Sequence, residues 1–242
     1  MQAIKTVGLT KRYRDVTAVS ELCLEIGEGE LFALLGINGA GKSTTVKMLS
    51  CLTAPTEGDG FIHGFSITKD AGRVKELIAV SPQDTAIAPN LSARENLELI
   101  CSIYGFDKQM REAKIIELAK LLGLDSQLSR RAGKLSGGWQ RRLSIAMALI
   151  SEPKVLFLDE PTLGLDVIAR SELWDIIRSL KGKVTVILTT HYMEEAEALS
   201  DRIGIMKDGR LLAIGTAAEL MERTGAEKFE NAFITIVKEV EK

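Results

Sequence analysis

Unbroken apolar runs, rather than alternating ones, mark several short segments of the chain. They include LFALL (31–35) and VTVILTT (184–190), and KVLFLDEPT (154–162) contains another. Runs of this kind are typical of parallel strands that are covered on both faces. Between them, STTVKMLSCL (43–52) and LDVIARSELWDIIRSL (165–180) carry apolar residues at helical spacing. Strands and helices are therefore expected to alternate over much of the sequence.

The other elements are predicted from shorter signals. Strands are expected at SELCLEI (20–26), GFIHGFSI (60–67) and LIAVS (77–81). RIGIMKDGRLLAIG (202–215) has Asp-Gly between two apolar runs, which predicts a hairpin. Thr216, followed by Glu219, predicts the cap of a last helix.

Residues 84–135 carry helical patterns only. LSARENLELICSIYG (91–105) begins with a capping box in which Ser92 is followed by Glu95, and a second helical stretch covers about 108–122. This range is predicted to be a helical insert. Its first loop, Asp84 to Asn90, is unusually apolar. Either this loop and the adjoining helix form a groove for a partner's short helix, or Ile87 and Leu91 pack the insert onto the core.

Composition narrows the class of protein. The 242 residues include 31 basic and 33 acidic side chains, a balance that argues against binding to nucleic acid or to an anionic membrane. The three cysteines have no metal-site spacing, which favours a reducing compartment. The first residues lack an apolar signal core, and no apolar run is long enough to cross a bilayer. A soluble intracellular protein is expected.

GINGAGKS (36–43) fits the pattern of a phosphate-binding loop, with Gly36, Gly41, Lys42 and Ser43 in register. The strand before it and the helix after it are the context that such a loop requires. Glycines let backbone N–H groups surround a phosphate, and the helix directs its positive end at the same anion. Lys42 would contact the terminal phosphates and Ser43 would bind Mg²⁺. The alternative is an ordinary glycine turn.

The strand in KVLFLDEPT ends in two acids, as expected for the carboxylates that accompany a phosphate-binding loop in a nucleotide site. Asp159 is expected to hold Mg²⁺, directly or through water, and Glu160 to polarise an attacking water as general base. Solvated acids at a strand end are the alternative. The chain is predicted to bind and hydrolyse a nucleoside triphosphate, and the absence of an N-K-x-D stretch favours ATP over GTP.

A second small-residue loop opens a helix at LSGGWQRR (135–142), where Ser136, Gly137 and Gly138 precede the helical pattern. A helix start of this kind is a second anion site. Because one chain already surrounds its phosphates with the first loop, the second is expected to face the nucleotide of another copy. A bare helix cap is the alternative interpretation.

GINGAGKS, LSGGWQ and LFLDE, in this order and spacing, resemble the ATP-binding subunit of an ABC transporter. The similarity covers about residues 4–224. Tyr13 corresponds to the aromatic residue that stacks on adenine, Gln83 to the glutamine that senses Mg²⁺ and water, and His191 to the switch histidine. Asp166 matches the loop that crosses between subunits.

The resemblance implies an α/β fold: a P-loop NTPase core with a mixed sheet, an antiparallel β subdomain and a helical signalling subdomain. It divides one domain, 1–242, into a core (1–83 and 136–224), the helical subdomain (84–135) and a tail (225–242). ATP and Mg²⁺ are the implied ligands. The implied catalytic residues are Glu160, His191, Gln83 and Lys42. The implied ATP contacts are Tyr13, Gly36, Asn38, Gly39, Ala40, Gly41, Lys42, Ser43, Thr44, Ser136, Gly137, Gly138 and Asp166. The implied metal ligands are Ser43, Gln83 and Asp159.

The implied function is ATP hydrolysis that powers a membrane transporter through dimerisation of two cassettes. The partners would be a membrane-spanning permease subunit and a second ATP-binding subunit, at the inner face of the cell membrane, with no nucleic acid. TLGLD (162–166), THYMEEAEALSDRIGIM (190–206) and FENAFITIV (229–237) resemble ATPases of bacterial exporters. The alternative is a soluble ABC-type ATPase of DNA maintenance or translation, but the long coiled coil or second cassette of those proteins has no counterpart here. A P-loop small-molecule kinase would leave LSGGWQ unexplained.

Overall fold

Ten strands and nine α-helices occur within residues 1–239, the part of the chain that the computed structural model describes. The last three residues of the predicted tail lie outside this range. The strands are β1 (Gln2–Tyr13), β2 (Val16–Gly27), β3 (Leu31–Leu35), β4 (Glu57–Ile62), β5 (Phe65–Ser66), β6 (Ile78–Ser81), β7 (Val155–Asp159), β8 (Thr185–Thr190), β9 (Arg202–Lys207) and β10 (Arg210–Gly215). The helices are α1 (Lys42–Leu49), α2 (Ala71–Leu77), α3 (Ala93–Ile103), α4 (Lys108–Leu122), α5 (Gly137–Leu149), α6 (Val167–Leu180), α7 (Met193–Leu199), α8 (Ala217–Thr224) and α9 (Phe229–Glu239).

A six-stranded mixed sheet, in the order β10-β9-β3-β8-β7-β6, positions the site. Its neighbouring strands are parallel except for β10, which runs antiparallel to β9. Every side chain of β3 and β8 is buried, as their unbroken apolar runs predict. Because β3, β8 and β7 are adjacent and parallel, their carboxyl ends meet at one edge of the sheet.

A four-stranded antiparallel sheet, β2-β1-β4-β5, packs with the six-stranded sheet and α1. Side chains from both sheets and from α1 form one hydrophobic cluster that includes Ile4, Leu22, Phe32, Met48 and Phe157. Helix α1 is thereby fixed with its first residue directly after the phosphate loop.

The single strand predicted over 60–67 is wrong. His63 and Gly64 have φ angles of 47° and 84° and turn the chain between β4 and β5. Two positive φ angles in a two-residue connection are typical of a tight hairpin. The predicted hairpin at 202–215 is confirmed as β9 and β10, with Asp208 and Gly209 between them.

Between Asp84 and Leu135 the structure has α3, α4 and two short 3₁₀ helices, Asp125–Gln127 and Ala132–Lys134. The capping box predicted at Ser92 is present: Glu95 N–H donates to the serine hydroxyl at 3.2 Å, and Ser92 N–H donates to the Glu95 carboxylate at 2.7 Å. Buried residues of α3 and α4, among them Leu97 and Ile115, join the same cluster as Leu143 of α5. In the described range, no helix is both long and apolar enough to cross a membrane.

Candidate active site

The phosphate loop, which leaves β3 and enters α1, has two positions that accommodate only glycine. Gly41 has a φ of 100°, and a Cβ there would lie 2.4 Å from the Ala18 carbonyl oxygen. A Cβ on Gly36 would lie 2.4 Å from the Met206 carbonyl oxygen. The sequence requirement for glycine therefore follows from both conformation and space.

Lys42, the first residue of α1, is buried with 5% of its surface exposed. Its ammonium group donates to the carbonyl oxygens of Gly36 at 2.7 Å and Ile37 at 3.2 Å. Burial lowers the pKa of Lys42, while the carboxylates of Glu160 and Asp159 act in the opposite direction. The cation is thus held inside the loop.

Asp159, at the end of β7, connects the loop helix to the sheet edge. Ser43 Oγ donates to Asp159 Oδ1 at 3.0 Å, and the Thr189 hydroxyl donates to the same oxygen. Thr189 pairs with Asp159 in the register of β7 and β8. Thr189 was not predicted as a site residue, and its place at the end of the VTVILTT strand was the only signal for it in the sequence.

Glu160 follows Asp159 in a left-handed backbone conformation, with φ at 47°. This conformation is uncommon outside glycine and often occurs where a side chain has a special role. The Glu160 N–H donates to the Thr189 carbonyl oxygen at 3.1 Å, which stabilises the turn. The side chain is nearly buried. Its Oε1 lies 3.7 Å from Lys42 Nζ, and its Oε2 lies 3.0 Å from His191 Nδ1. His191 Nδ1 is therefore close to this carboxylate. Among the described residues, however, it makes no hydrogen bond of good geometry.

A cavity of about 580 Å³ brings most of the predicted site residues together. Its lining consists of Tyr13, Ala18, Asn38, Gly39, Ala40, Gly41, Lys42, Ser43, Thr44, Gln83, Glu160, Leu163 and His191. Gly36 and Asp159 adjoin it through their contacts with Lys42 and Ser43. Tyr13 is 45% exposed and lies at the open side, with Lys11 Nζ 5.1 Å from its ring centroid.

Four predicted ATP contacts lie elsewhere: Ser136, Gly137, Gly138 and Asp166 are not among the lining residues of this cavity. They are close to one another instead. A Cβ on Gly138 would lie 3.1 Å from the Ala169 side chain of α6. The Asp166 carboxylate caps that helix and accepts from the N–H groups of Ile168 at 3.0 Å and Ala169 at 2.9 Å.

Arg141, on α5, holds the loop that carries Gln83. Its guanidinium group donates to the carbonyl oxygens of Pro82 at 2.5 Å and Gln83 at 2.6 Å, and only 5% of the residue is exposed. Burial lowers the pKa of Arg141. No role was predicted for this arginine, and its place in LSGGWQRR was the only signal for it in the sequence.

The glycine loop at the end of β3, the buried lysine and the carboxylates at the end of β7 define a P-loop nucleoside triphosphatase domain. The family model described as ABC transporter matches residues 19–163. The chain belongs to the ABC transporter family, and it is an ATP-binding cassette of that family.

The relatives agree with this assignment. The chain is 39% identical over 98% of its length to the human phospholipid-transporting ATPase ABCA3, and it spans 14% of that protein. It is 41% identical over 94% of its length to the daunorubicin resistance ATP-binding protein DrrA3 of Streptomyces coeruleorubidus, and it spans 72% of that protein.

Solved structures show the same fold. An ATP-binding subunit of an ABC transporter superimposes with a TM-score of 0.85 and 27% identity, covering 97% of this chain and 99% of that one. A dimeric ATP-binding cassette in a post-hydrolysis state, bound to ADP and Pi, has a TM-score of 0.79 and 28% identity, covering 88% and 98%. The predicted family and fold class are confirmed.

Proposed function

We propose that this chain hydrolyses ATP to power a membrane transporter of the export type. The observation that carries the hydrolytic part is the convergence of three groups: Glu160 lies 3.0 Å from His191 and 3.7 Å from Lys42 inside the cavity that the phosphate loop lines. Lys42 would stabilise charge on the terminal phosphates, and Glu160 would accept the proton of the attacking water. His191 would orient that assembly.

Mg²⁺ is the metal we propose for this site. Ser43 Oγ and Asp159 Oδ1 lie 3.0 Å apart, and Gln83 lines the same cavity. Hydroxyl, carboxylate and amide oxygens are the hard donors that Mg²⁺ prefers, and this ion is usually bound by one or two carboxylates together with substrate phosphates. When bound, the ion would neutralise phosphate charge. Ser43, Asp159 and Gln83 would hold it.

A second cassette would complete the site. Ser136 and Gly137 are exposed at the start of α5, away from the cavity. Backbone N–H groups at a helix start attract phosphate, so these residues can contact an ATP held by another copy. The dimeric cassette with which this chain superimposes supports the arrangement.

A permease subunit would dock on an apolar hollow of about 410 Å³ that adjoins the loop of Gln83. Pro82, Ala86, Ile103 and Tyr104 contribute to its lining, and Ile103 is 70% exposed. The hollow and the nucleotide cavity are neighbours, because Pro82 lines the hollow and the next residue, Gln83, lines the cavity. Ile87 does not belong to the lining. It packs half-buried against the core, so the packing interpretation of Ile87 is the one that the structure favours.

Export is the direction we propose because one relative is named a daunorubicin resistance protein and another, from Rhizobium etli, a Nod factor export protein. The chain would then lie on the cytoplasmic face of the membrane. The match to the ABC transporter model supports transport, and nothing supports the alternative in DNA maintenance or translation.

Two measurements test the proposal. Phosphate release by the purified chain should require Mg²⁺ and disappear in Glu160→Gln, and a Glu160→Gln variant that turns over ATP at the wild-type rate would contradict the assignment. Co-expression with the membrane proteins encoded beside this gene should yield a complex that Ile103→Glu disrupts while ATP binding is kept. If wild type and Ile103→Glu recover the same amount of complex, the hollow is not the docking surface.

A further inference from the structure

Glu195, on helix α7, has no part in the function described above. It is fully buried, with 0% of its surface exposed. Its Oε1 accepts hydrogen bonds from the Thr162 hydroxyl at 2.7 Å and from the Trp174 indole N–H at 3.2 Å. These three residues lie on three different segments of the chain.

Such a carboxyl is costly to bury. Burial raises the pKa of Glu195, while hydrogen bonding from Thr190, Thr162 and Trp174 opposes the rise. Within residues 1–239, the second oxygen, Oε2, has no hydrogen bond of good geometry, although the Thr190 hydroxyl is close enough to affect the titration. A buried polar group that is only partly satisfied costs stability, so its retention calls for a function.

Two of the three segments carry the catalytic pair, and the third is the helix that follows Glu160 in the chain. Thr162 is two residues after Glu160, in the turn that follows β7. Trp174 lies on α6, the helix that begins after this turn. Glu195 is four residues after His191, one helical turn into the segment that follows β8. A single carboxyl therefore connects the supports of Glu160 and His191, although Glu195 is not itself among the residues that line the nucleotide cavity.

We propose that Glu195 is a positioning residue that fixes Glu160 and His191 relative to each other for ATP hydrolysis. The inference rests on the proposed function. Without the carboxyl, the turn after β7 and the start of α7 lose their shared anchor, and the 3.0 Å separation of Glu160 Oε2 and His191 Nδ1 is no longer enforced. Misplacement of a catalytic group by fractions of an ångström lowers kcat more than it lowers nucleotide affinity.

The kinetic test uses a matched pair of variants. Thr162→Val removes one buried hydroxyl that donates to Glu195. Thr6→Val removes a hydroxyl with the same 2% exposure, which donates to the Leu22 carbonyl at 2.8 Å in the antiparallel sheet. We expect Thr162→Val to lower kcat about tenfold, with KM for ATP within about twofold of wild type. Thr6→Val should leave both within about twofold. Equal kcat in the two variants would overturn the inference.

Changes at Glu195 itself add a rescue. Glu195→Ala should lower kcat by about tenfold or more, whereas Glu195→Gln keeps an acceptor oxygen and should recover most of it. Rates are divided by the number of sites that bind a fluorescent ATP analogue, which removes the effect of unfolded protein. Should Glu195→Ala fail to fold, Thr162→Val and Glu195→Gln decide the matter. If Glu195→Gln is as slow as Glu195→Ala, the proposal that Glu195 positions the pair by accepting these hydrogen bonds is contradicted.

A second readout does not need turnover. The chain has two histidines, His63 and His191, so both imidazoles can be resolved by NMR after ¹³C-histidine labelling. Thr162→Val should shift the ring signals of His191 and leave those of His63 unchanged. Unchanged His191 signals would overturn the positioning role even if hydrolysis is slowed. A wild-type chain without any phosphate release would contradict the proposed function, and the NMR comparison would still decide the placement of His191.

Discussion

The phosphate loop and the Ser-Gly-Gly loop both open a helix with small residues, but they differ in what they face. The first closes on its own chain: Gly39 and Gly41 have positive φ angles, and Lys42 is buried against the loop carbonyls. The second is extended and outward, with Ser136 at φ −64° and ψ 161° and exposed. One helix start is complete within the chain, and the other offers its N–H groups to a second molecule.

Because of this difference, the two loops are expected to have different functions. The first loop, with the β7 and β8 ends, assembles the chemistry of a single nucleotide. The second loop and Asp166 adjoin each other but not that nucleotide cavity. Binding should therefore depend on the first region alone, and hydrolysis on both. The predictions below separate the two regions.

The largest effect is expected at Glu160, in the self-contained region. Glu160→Gln should lower kcat by about 10²–10⁴-fold, because a general base is lost, while one ATP still binds per chain. Phosphate release and equilibrium nucleotide binding measure the two quantities. Glu21→Gln is the control, since Glu21 is an exposed glutamate with the same φ of 47°. Loss of ATP binding in Glu160→Gln would show that the residue is part of the binding site rather than the chemistry.

Gly41→Ala should give the next largest effect. At a φ of 100°, with the new Cβ 2.4 Å from the Ala18 carbonyl oxygen, the loop cannot keep its shape. Strain of about 1–3 kcal/mol corresponds to roughly a five- to 150-fold loss of ATP affinity. Isothermal titration calorimetry measures it. Gly72→Ala is the control, because no atom outside its own segment lies within 4 Å of a Cβ there. Equal affinities in the two variants would mean that the loop adapts.

Ser136→Arg tests the outward loop. In the Glu160→Gln background, ATP should drive two chains together, and a large cation at the exposed helix start should block the contact sterically. Size-exclusion chromatography should show the dimer only without Ser136→Arg, while ATP binding per chain stays within about twofold in both. A dimer that forms despite Ser136→Arg would contradict the assignment of the Ser-Gly-Gly loop to the contact between chains. A monomer at saturating ATP in Glu160→Gln alone would contradict it as well.

The two regions were not equally readable from the sequence. The strand, loop and helix around residues 31–49 could be predicted because the glycine pattern and an unbroken apolar run describe one local structure. Thr189 and Arg141 were missed, since their contacts with Asp159 and the Gln83 loop depend on strand register and helix packing. No local pattern contains that information.

The antiparallel sheet was the least predictable part of the fold. Strand β1 was not predicted, because adjacent residues are buried together near its register shifts: Ala3 with Ile4 at Gln2/Ile4, and Leu9 with Thr10 at Leu9/Lys11. Such bulges remove the alternation by which strands are recognised. The hairpin at His63 was read as one strand for another reason: His-Gly is not among the dipeptides that signal a tight hairpin most strongly, such as Asn-Gly and Asp-Gly, although His63 adopts the positive φ that this turn requires.

The smallest effect is expected from the residues that precede α5 and α6, Ser136 and Asp166. Asp166 caps α6 through two N–H groups, whereas the Ser136 side chain makes no capping hydrogen bond to α5 within residues 1–239. Asp166→Ala should therefore lower the free energy of unfolding by about 1 kcal/mol, and Ser136→Ala by less than about 0.5 kcal/mol. Urea denaturation of the monomer, without nucleotide, measures both. Equal losses would mean that Ser136 serves its own helix. A loss at Asp166 alone would leave the Ser136 hydroxyl free to contact the nucleotide of a partner.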